Sequence, residues 1–80
     1  MKIYTNASFR DKLRYIKDRA TQTSIRQFLR FVDRSASPDE IERETRKADN
    51  DISYKRTNTC FLLFTIKREG VVFIDVVDRV

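Results

Sequence analysis

Three arginines at helical spacing are the residues of this 80-residue chain whose type and pattern first suggest chemistry. Arg26, Arg30 and Arg34 recur every four residues, so on a helix their guanidinium groups lie along one line. We call them the arginine ladder. Neighbouring like charges repel, and an anion lying against them relieves that repulsion, because a guanidinium matches phosphate oxygens. The alternative is that Asp33 and the acidic side chains of residues 38–44 neutralise the ladder within the fold.

The charge of the chain is unevenly distributed. The formal net charge is +5, from 17 Lys and Arg against 12 Asp and Glu. Residues 1–34 carry nine basic and three acidic side chains, whereas residues 35–51 carry three basic and six acidic ones. Clustered cations favour a polyanionic partner, since phosphate binding releases counterions. A charged face also keeps a small helical domain in solution, so the charge alone leaves both interpretations open.

Other compositional features limit the possible chemistry. The chain has no His, so an imidazole acid or base is excluded. Its one Cys, Cys60, lies in an apolar run and is expected to be a small core residue in a reducing cytoplasm. No apolar run approaches the roughly 20 residues of a membrane span, and the N-terminal residues lack the apolar region of a signal peptide. We expect one cytoplasmic domain over residues 1–80, without a metal, a small-molecule cofactor or a membrane partner.

A short strand and a first helix are predicted at the start of the chain. Residues 2–5, KIYT, are β-prone. A helix is predicted near residues 8–19, with Asn6 or Ser8 as its cap. Its apolar stripe consists of Phe9, Leu13, Ile16 and Ala20.

Two further helices are predicted before residue 50. The second lies near residues 23–34, with Thr21 or Thr23 as its cap and an apolar stripe of Ile25, Phe28, Leu29 and Val32. A short third helix begins at Ser37 and Pro38 and is expected to end near Lys47, offering Ile41 and Ala48 to a core.

In the last third of the chain the apolar period changes to two, which is typical of strands. Strands are predicted at residues 52–56, 60–66 and 71–77, with Asn58 at positive φ in one turn and Gly70 in a left-handed position in the next. The last two strands are apolar on both faces and therefore central, and we expect Leu62, Phe64, Phe73 and Ile74 to lie in the core. The sequence predicts an α+β fold of order β-α-α-(α)-β-β-β, with a four-stranded antiparallel sheet and the two main helices on one face.

This order and the pattern of the last strands resemble the RelE/ParE superfamily of bacterial toxin domains. YKRTNTCFLLFTI is similar to the basic strand, polar turn and apolar strand of that family, and VVFIDVVDR is similar to its last strand. FRDKLRYI is similar to its first helix in pattern only. The chain departs from the family at two places. Cys60 and Phe61 stand where many RNA-cleaving members have an Arg after an aromatic residue, and Asp78 stands where many have His or Lys.

The resemblance implies a set of site residues for cleavage of RNA by the 2′-hydroxyl group. Arg56 and Arg79 are the candidate catalytic residues, because guanidinium groups stabilise a phosphorane. Asp78 is a candidate base, with a surface charge paired to Arg79 or a Lys as the alternative. Lys55, Lys67 and the arginine ladder are expected to bind RNA phosphates.

The resemblance also implies a function and partners. We expect the toxin of a toxin-antitoxin system, a RelE-like endoribonuclease that inhibits translation by cleaving translated mRNA on the ribosome and is held in check by a small antitoxin. A non-nucleolytic member of the same fold is the first alternative, either a ParE-like gyrase inhibitor or a binding protein. A winged-helix DNA-binding protein is the second, although its would-be recognition helix near residues 38–47 carries four acids.

Overall fold

Residues 1–78, the part of the chain that the computed structural model describes, form three helices and five strands. The elements, in chain order, are β1 (Lys2–Thr5), α1 (Ala7–Leu13), α2 (Arg19–Arg34), α3 (Pro38–Arg43), β2 (Arg46–Lys47), β3 (Ser53–Thr57), β4 (Cys60–Ile66) and β5 (Gly70–Asp78). The predicted mixture of helices and sheet, with helices between the first strand and the later ones, is confirmed.

The sheet has the strand order β1-β5-β4-β3-β2, with β4 at its centre. β2, β3, β4 and β5 run antiparallel, whereas β1 runs parallel to β5 and pairs with its first half, Gly70–Phe73. The prediction of four antiparallel strands is therefore wrong in two respects. The sheet gains β2 as an edge strand, and β1 joins it in the parallel sense, which the long helical connection between β1 and the later strands allows.

One face of the sheet carries the core. Alternate residues of β4 and β5 point towards the helices and are almost completely buried. The core consists of Phe9, Ile25, Phe28, Val32 and Ile41 from the helices and Cys60, Leu62, Phe64, Val71, Phe73 and Val76 from the sheet. All three helices therefore cover the same face. The opposite face carries half-buried apolar residues that no element within residues 1–78 covers.

The boundary between α1 and α2 differs from the prediction. α1 ends at Leu13, so Ile16 lies in the connecting loop, and Ala20 belongs to α2, where it is exposed. The cap of α1 is Asn6, whose Oδ1 accepts a hydrogen bond from the Phe9 amide at 2.8 Å. The cap of α2 is Asp18 and not the predicted Thr21 or Thr23, so the helix begins at Arg19, four residues before the predicted start. The capping carboxylate thus decides where the second helix begins.

A polar cluster joins the start of α2 to the β3–β4 turn. Asp18 Oδ2 accepts hydrogen bonds from the Thr21 amide, the Thr21 hydroxyl and the Asn58 side-chain amide, at 2.9, 2.7 and 2.9 Å. Thr21 is fully buried and its hydroxyl also lies 2.9 Å from that of Thr59. Asn58 has a φ of 61°, as predicted. The turn and the helix start therefore fix each other.

The predicted third helix is cut short by the sheet. α3 ends at Arg43, and Ala48, which was expected to extend its apolar side, is exposed. Only Ile41 of this helix is buried, so little tertiary packing stabilises the helix. Instead the chain turns and Arg46 pairs with Tyr54 across β2 and β3.

Gly70 is required for space, not for a left-handed conformation. Its φ is not positive, so the predicted turn role is wrong. A Cβ at this position would lie 2.5 Å from the Lys2 carbonyl oxygen and 2.9 Å from the Tyr4 ring. Glycine therefore allows β1 to lie against β5 with the Tyr4 ring over it.

The terminal hairpin occupies the middle of the sheet, with β4 central and β5 beside it. In a winged-helix protein the corresponding hairpin stands out in solvent as a wing, so this arrangement is a different one. None of the helices within residues 1–78 is long and apolar enough to cross a membrane.

Candidate nucleic-acid interface

A cleft of about 380 Å³ lies at the β2–β3 edge of the sheet. We call it the Arg56 cleft. It is lined by Glu44, Thr45, Arg46, Tyr54, Lys55, Arg56 and Phe61. Four consecutive features of the chain build it: the end of α3, the short strand β2, the middle of β3 and the start of β4.

Strand alternation determines which side chains enter the cleft from the uncovered face. Arg46 pairs with Tyr54, and Arg56 pairs with Phe61. Tyr54 and Arg56 are two residues apart on β3, so these four side chains share one face. Ser53 and Thr57 are buried on the other face. An aromatic pair and an arginine pair are thereby brought together at one edge.

Arg46 and Arg56 form the cationic part of the cleft. Both are exposed, and they are diagonal neighbours across the β2–β3 ladder, a relationship in which Cα atoms lie about 7–8 Å apart. Long side chains at that separation can reach the same ligand. Two guanidinium groups in this arrangement suit the oxygens of one phosphate.

Lys55 points to the covered face of the sheet. Its Nζ donates a hydrogen bond to the main-chain oxygen of Glu44 at 3.2 Å and lies 5.9 Å from the centre of the Phe28 ring. The ammonium group is therefore engaged by the protein, where it holds the end of α3 against β3. Its positive charge still contributes to the potential in the cleft.

Glu44 is the acidic residue among those that line the Arg56 cleft. The residue is exposed and follows the last turn of α3, and the Lys55 hydrogen bond to its carbonyl oxygen fixes its main chain. In a chain without His, a carboxylate is a group that can accept a proton from a bound hydroxyl. The cleft thus combines a proton acceptor with cations that stabilise developing negative charge.

Asp78, the candidate base from the sequence, lies away from Arg56. It pairs with Cys60, whose Sγ is 3.8 Å from the Asp78 carboxylate, on the covered side of the sheet. Arg56 projects from the other face, opposite Phe61. Burial raises the pKa of the Cys60 thiol, so this cysteine stays protonated at neutral pH. Arg79, the second candidate catalytic residue, lies outside the described residues.

The remaining predicted phosphate contacts do not line the cleft. Lys67 is exposed at the β4–β5 turn, six residues along β4 from Phe61, which corresponds to about 20 Å in a strand. The arginine ladder is exposed on the side of α2 that faces away from the buried residues Ile25 and Val32. Within residues 1–78 its three guanidinium groups form no ion pair, so the acidic side chains of residues 38–44 do not neutralise it.

Sequence reasoning missed five residues of the cleft, namely Glu44, Thr45, Arg46, Tyr54 and Phe61. The first three were assigned to the third helix, and the two aromatics were treated as ordinary strand residues. The alternation Tyr54, Arg56 next to Phe61 was the available signal for an aromatic and basic face. No pattern in the sequence indicated the pairing of β2 with β3, which adds Arg46 and Glu44 to the cleft.

No protein-family model, curated protein or solved structure matches this chain. Within residues 1–78 there is also no group of three or more His, Cys, Asp or Glu side chains that could hold a metal ion. The function must therefore be argued from the cleft.

Proposed function

We propose that this chain is the toxin of a bacterial toxin-antitoxin system, a RelE-like endoribonuclease that cleaves translated mRNA. The observation that carries the proposal is the meeting of Arg46, Arg56 and Glu44 in one cleft at the edge of the sheet. A phosphate group flanked by two arginines and a carboxylate has the surroundings that transfer to a neighbouring hydroxyl requires.

The reaction uses the 2′-hydroxyl of the RNA as its nucleophile. The hydroxyl loses its proton to the Glu44 carboxylate while its oxygen attacks the adjacent phosphorus. Arg56 and Arg46 stabilise the additional negative charge on the phosphorane oxygens, and Arg79 contributes a third guanidinium in the proposal from the sequence. The bond from phosphorus to the 5′ oxygen then breaks, and that oxygen takes the proton from the protonated Glu44, directly or through a water molecule, which restores the carboxylate. The products are a 2′,3′-cyclic phosphate and a free 5′-hydroxyl.

The proposal includes an antitoxin as the protein partner. The groove between α1 and α2 supports it, because Leu13, Ile16 and Leu29 are half-buried there beside Arg26. An amphipathic helix with an acidic border would bury these apolar side chains and pair with the arginines. Such a partner also suits the positive net charge of the chain.

Expression in bacteria with transcript ends mapped tests the proposal. The wild-type chain should inhibit growth and produce new 5′-hydroxyl ends within translated messages. Removing one stabilising contact to a transition state typically lowers the rate by about 10²–10³-fold, so Arg56→Ala and Arg79→Ala should restore growth. Lys67→Ala is the matched control, since Lys67 is exposed and distant from the cleft, and it should remain toxic.

Two other results would contradict the nuclease. Equal growth and identical transcript ends for the wild type and Arg56→Ala would show that the chain is not a nuclease of this kind. Growth inhibition without new RNA ends would favour the non-nucleolytic alternative, and accumulation of gyrase-linked DNA breaks would identify a ParE-like activity.

A further inference from the structure

We propose that Tyr54 and Phe61 form a binding site for one unpaired nucleobase, whose phosphate lies between Arg46 and Arg56. This inference rests on the proposed function, because its ligand is RNA. It concerns what part of the RNA the cleft recognises, and it assigns a role to Phe61, where many family members have a charged residue.

Tyr54 and Phe61 are placed differently from the two phenylalanines of the sheet that belong to the core. Phe64 and Phe73 are completely buried in the core, whereas Tyr54 and Phe61 are half-buried on the uncovered face. Their rings meet edge to face, with centroids 5.6 Å apart and an interplanar angle of 78°. The pair therefore leaves aromatic surface available to a ligand at the wall of a basic cleft.

Tyr54 and Phe61 line two adjoining depressions. One is the Arg56 cleft, and the other is an apolar depression of about 270 Å³ that they share with Leu63 and Val77. Val77 is 42% exposed, so no element within residues 1–78 closes this second depression. A flat apolar group can thus lie against the aromatic pair while an attached anion reaches the arginines.

A nucleotide has this combination of groups. Its base is flat and stacks on aromatic rings whatever its identity, and one sugar connects it to a phosphate. In the sheet each aromatic residue has an arginine as its partner in the neighbouring strand, Tyr54 with Arg46 and Phe61 with Arg56. The cleft therefore presents stacking surface and positive charge side by side, at the separation of paired strands.

The site requires an unpaired base. In an RNA duplex the base faces are stacked on one another and the edges are paired, so neither Tyr54 nor Phe61 could reach a ring face. We infer that the chain selects single-stranded RNA and rejects duplexes of the same sequence.

Fluorescence anisotropy with the full-length protein tests the site. The probe is a labelled single-stranded 2′-O-methyl RNA of about ten nucleotides, which binds but lacks the attacking hydroxyl. Loss of one base–aromatic stack corresponds to about 5- to 150-fold in affinity, and Phe61→Leu and Tyr54→Leu should each lose affinity in this range. The salt dependence should stay unchanged, because the phosphate contacts remain. Tyr15→Leu is the matched control, since Tyr15 is 80% exposed and outside the cleft, and its affinity should equal that of the wild type.

Two further measurements separate stacking from loss of structure. Phe61→Trp keeps an aromatic ring and should retain wild-type affinity, and circular dichroism should show that Phe61→Leu remains folded. A single abasic residue moved along the probe should weaken binding to the wild type at one position and should have no further effect on Phe61→Leu.

The outcomes distinguish the base site from the proposed function. Equal affinity of Phe61→Leu and the wild type, with a retained salt dependence, would overturn the base site and leave RNA binding intact. Equal affinity of the wild type for the single-stranded probe and for a duplex of the same sequence would also overturn the base site and leave RNA binding intact. If the wild type binds none of the probes, both the base site and the proposed RNA-directed function are wrong.

Discussion

The Lys55 ammonium group donates a hydrogen bond to the main-chain oxygen of Glu44 at 3.2 Å. This contact crosses from β3 to the residue that follows α3, and the same nitrogen lies 5.9 Å from the centre of the Phe28 ring. Lys55 therefore positions Glu44 from the covered face of the sheet. This role is additional to the binding of phosphate that the sequence suggested.

Replacing Lys55 by Met should loosen the end of α3. The side chain keeps its apolar length but loses its hydrogen bond, so the free energy of unfolding should fall by about 0.5–1.5 kcal/mol. Glu44 and Arg46 should then be less well placed, and RNA cleavage should fall with them. Urea unfolding and a cleavage assay check this. Lys55→Arg should recover part of both losses, and full activity of Lys55→Met would show that the contact does not position the cleft.

Replacing Phe73 by Ala should nearly abolish folding. Its ring lies 5.2 Å from that of Phe9 and 5.3 Å from that of Phe64, in the completely buried part of the core. Such truncations cost about 3–5 kcal/mol, against a total stability of about 5–15 kcal/mol for a protein. Thermal unfolding followed by circular dichroism measures the loss.

The next residue on β5 provides the control for this prediction. We expected Ile74 in the core together with Leu62, Phe64 and Phe73, and this was wrong. A register shift pairs Phe73 with Phe64 and Asp75 with Leu63, leaving Ile74 unpaired and half-buried. Ile74→Ala should therefore unfold cooperatively and at a higher temperature than Phe73→Ala, and the reverse order would contradict the burial of the two side chains.

Asp18 should make the stability of the protein sensitive to acid. Hydrogen bonds from the hydroxyl and then the amide of Thr21 hold the pKa of Asp18 below its usual value. Because the folded-state pKa is the lower one, the carboxylate stabilises the fold above the unfolded pKa of about 3.9. That contribution is lost as the pH falls through the folded pKa. Asp18→Asn should lower Tm at pH 7 and reduce the decrease in Tm below about pH 4.

Asp51→Asn is the matched control for Asp18, because Asp51 is exposed in the turn before β3. Its curve of Tm against pH should follow that of the wild type. Coincident curves for Asp18→Asn and Asp51→Asn would show that the capping cluster does not contribute to stability.

The two arginines of the cleft should dominate the salt dependence of RNA binding. Each phosphate contact to a single strand contributes about 0.7 to the slope of log K against log salt, so Arg46→Gln with Arg56→Gln should reduce that slope by about 1.4. The variant with Gln at all three positions of the arginine ladder tests the other predicted phosphate surface. We expect a smaller loss of affinity from it, because the ladder does not line the cleft. A larger loss of affinity from the ladder variant than from the cleft variant would show that the RNA lies along α2.

Several features were predictable because they depend on neighbours in the sequence. The change from a helical period to a period of two near residue 50 predicted the order of helices and strands, and Asn58 is at positive φ as its turn required. Leu62, Phe64 and Phe73 were correctly assigned to the core, because they lie in apolar runs typical of central strands. Local patterns decide such features, since helix and strand conformations are set by residues a few positions apart.

Pairing between distant segments decided the rest. The parallel alignment of β1 with β5 gives Gly70 its role, because the Lys2 carbonyl oxygen lies where a Cβ would be. The pairing of β2 with β3 brings Arg46 beside Arg56, and the register of β5 on β4 puts Asp78 next to Cys60 on the other side of the sheet. A shift of one residue in a strand exchanges its two faces, and the choice of register depends on burial across the whole sheet. The sequence alone therefore determined which side chains the chain possesses and most of its local conformation, whereas the tertiary structure decided which of them share a site.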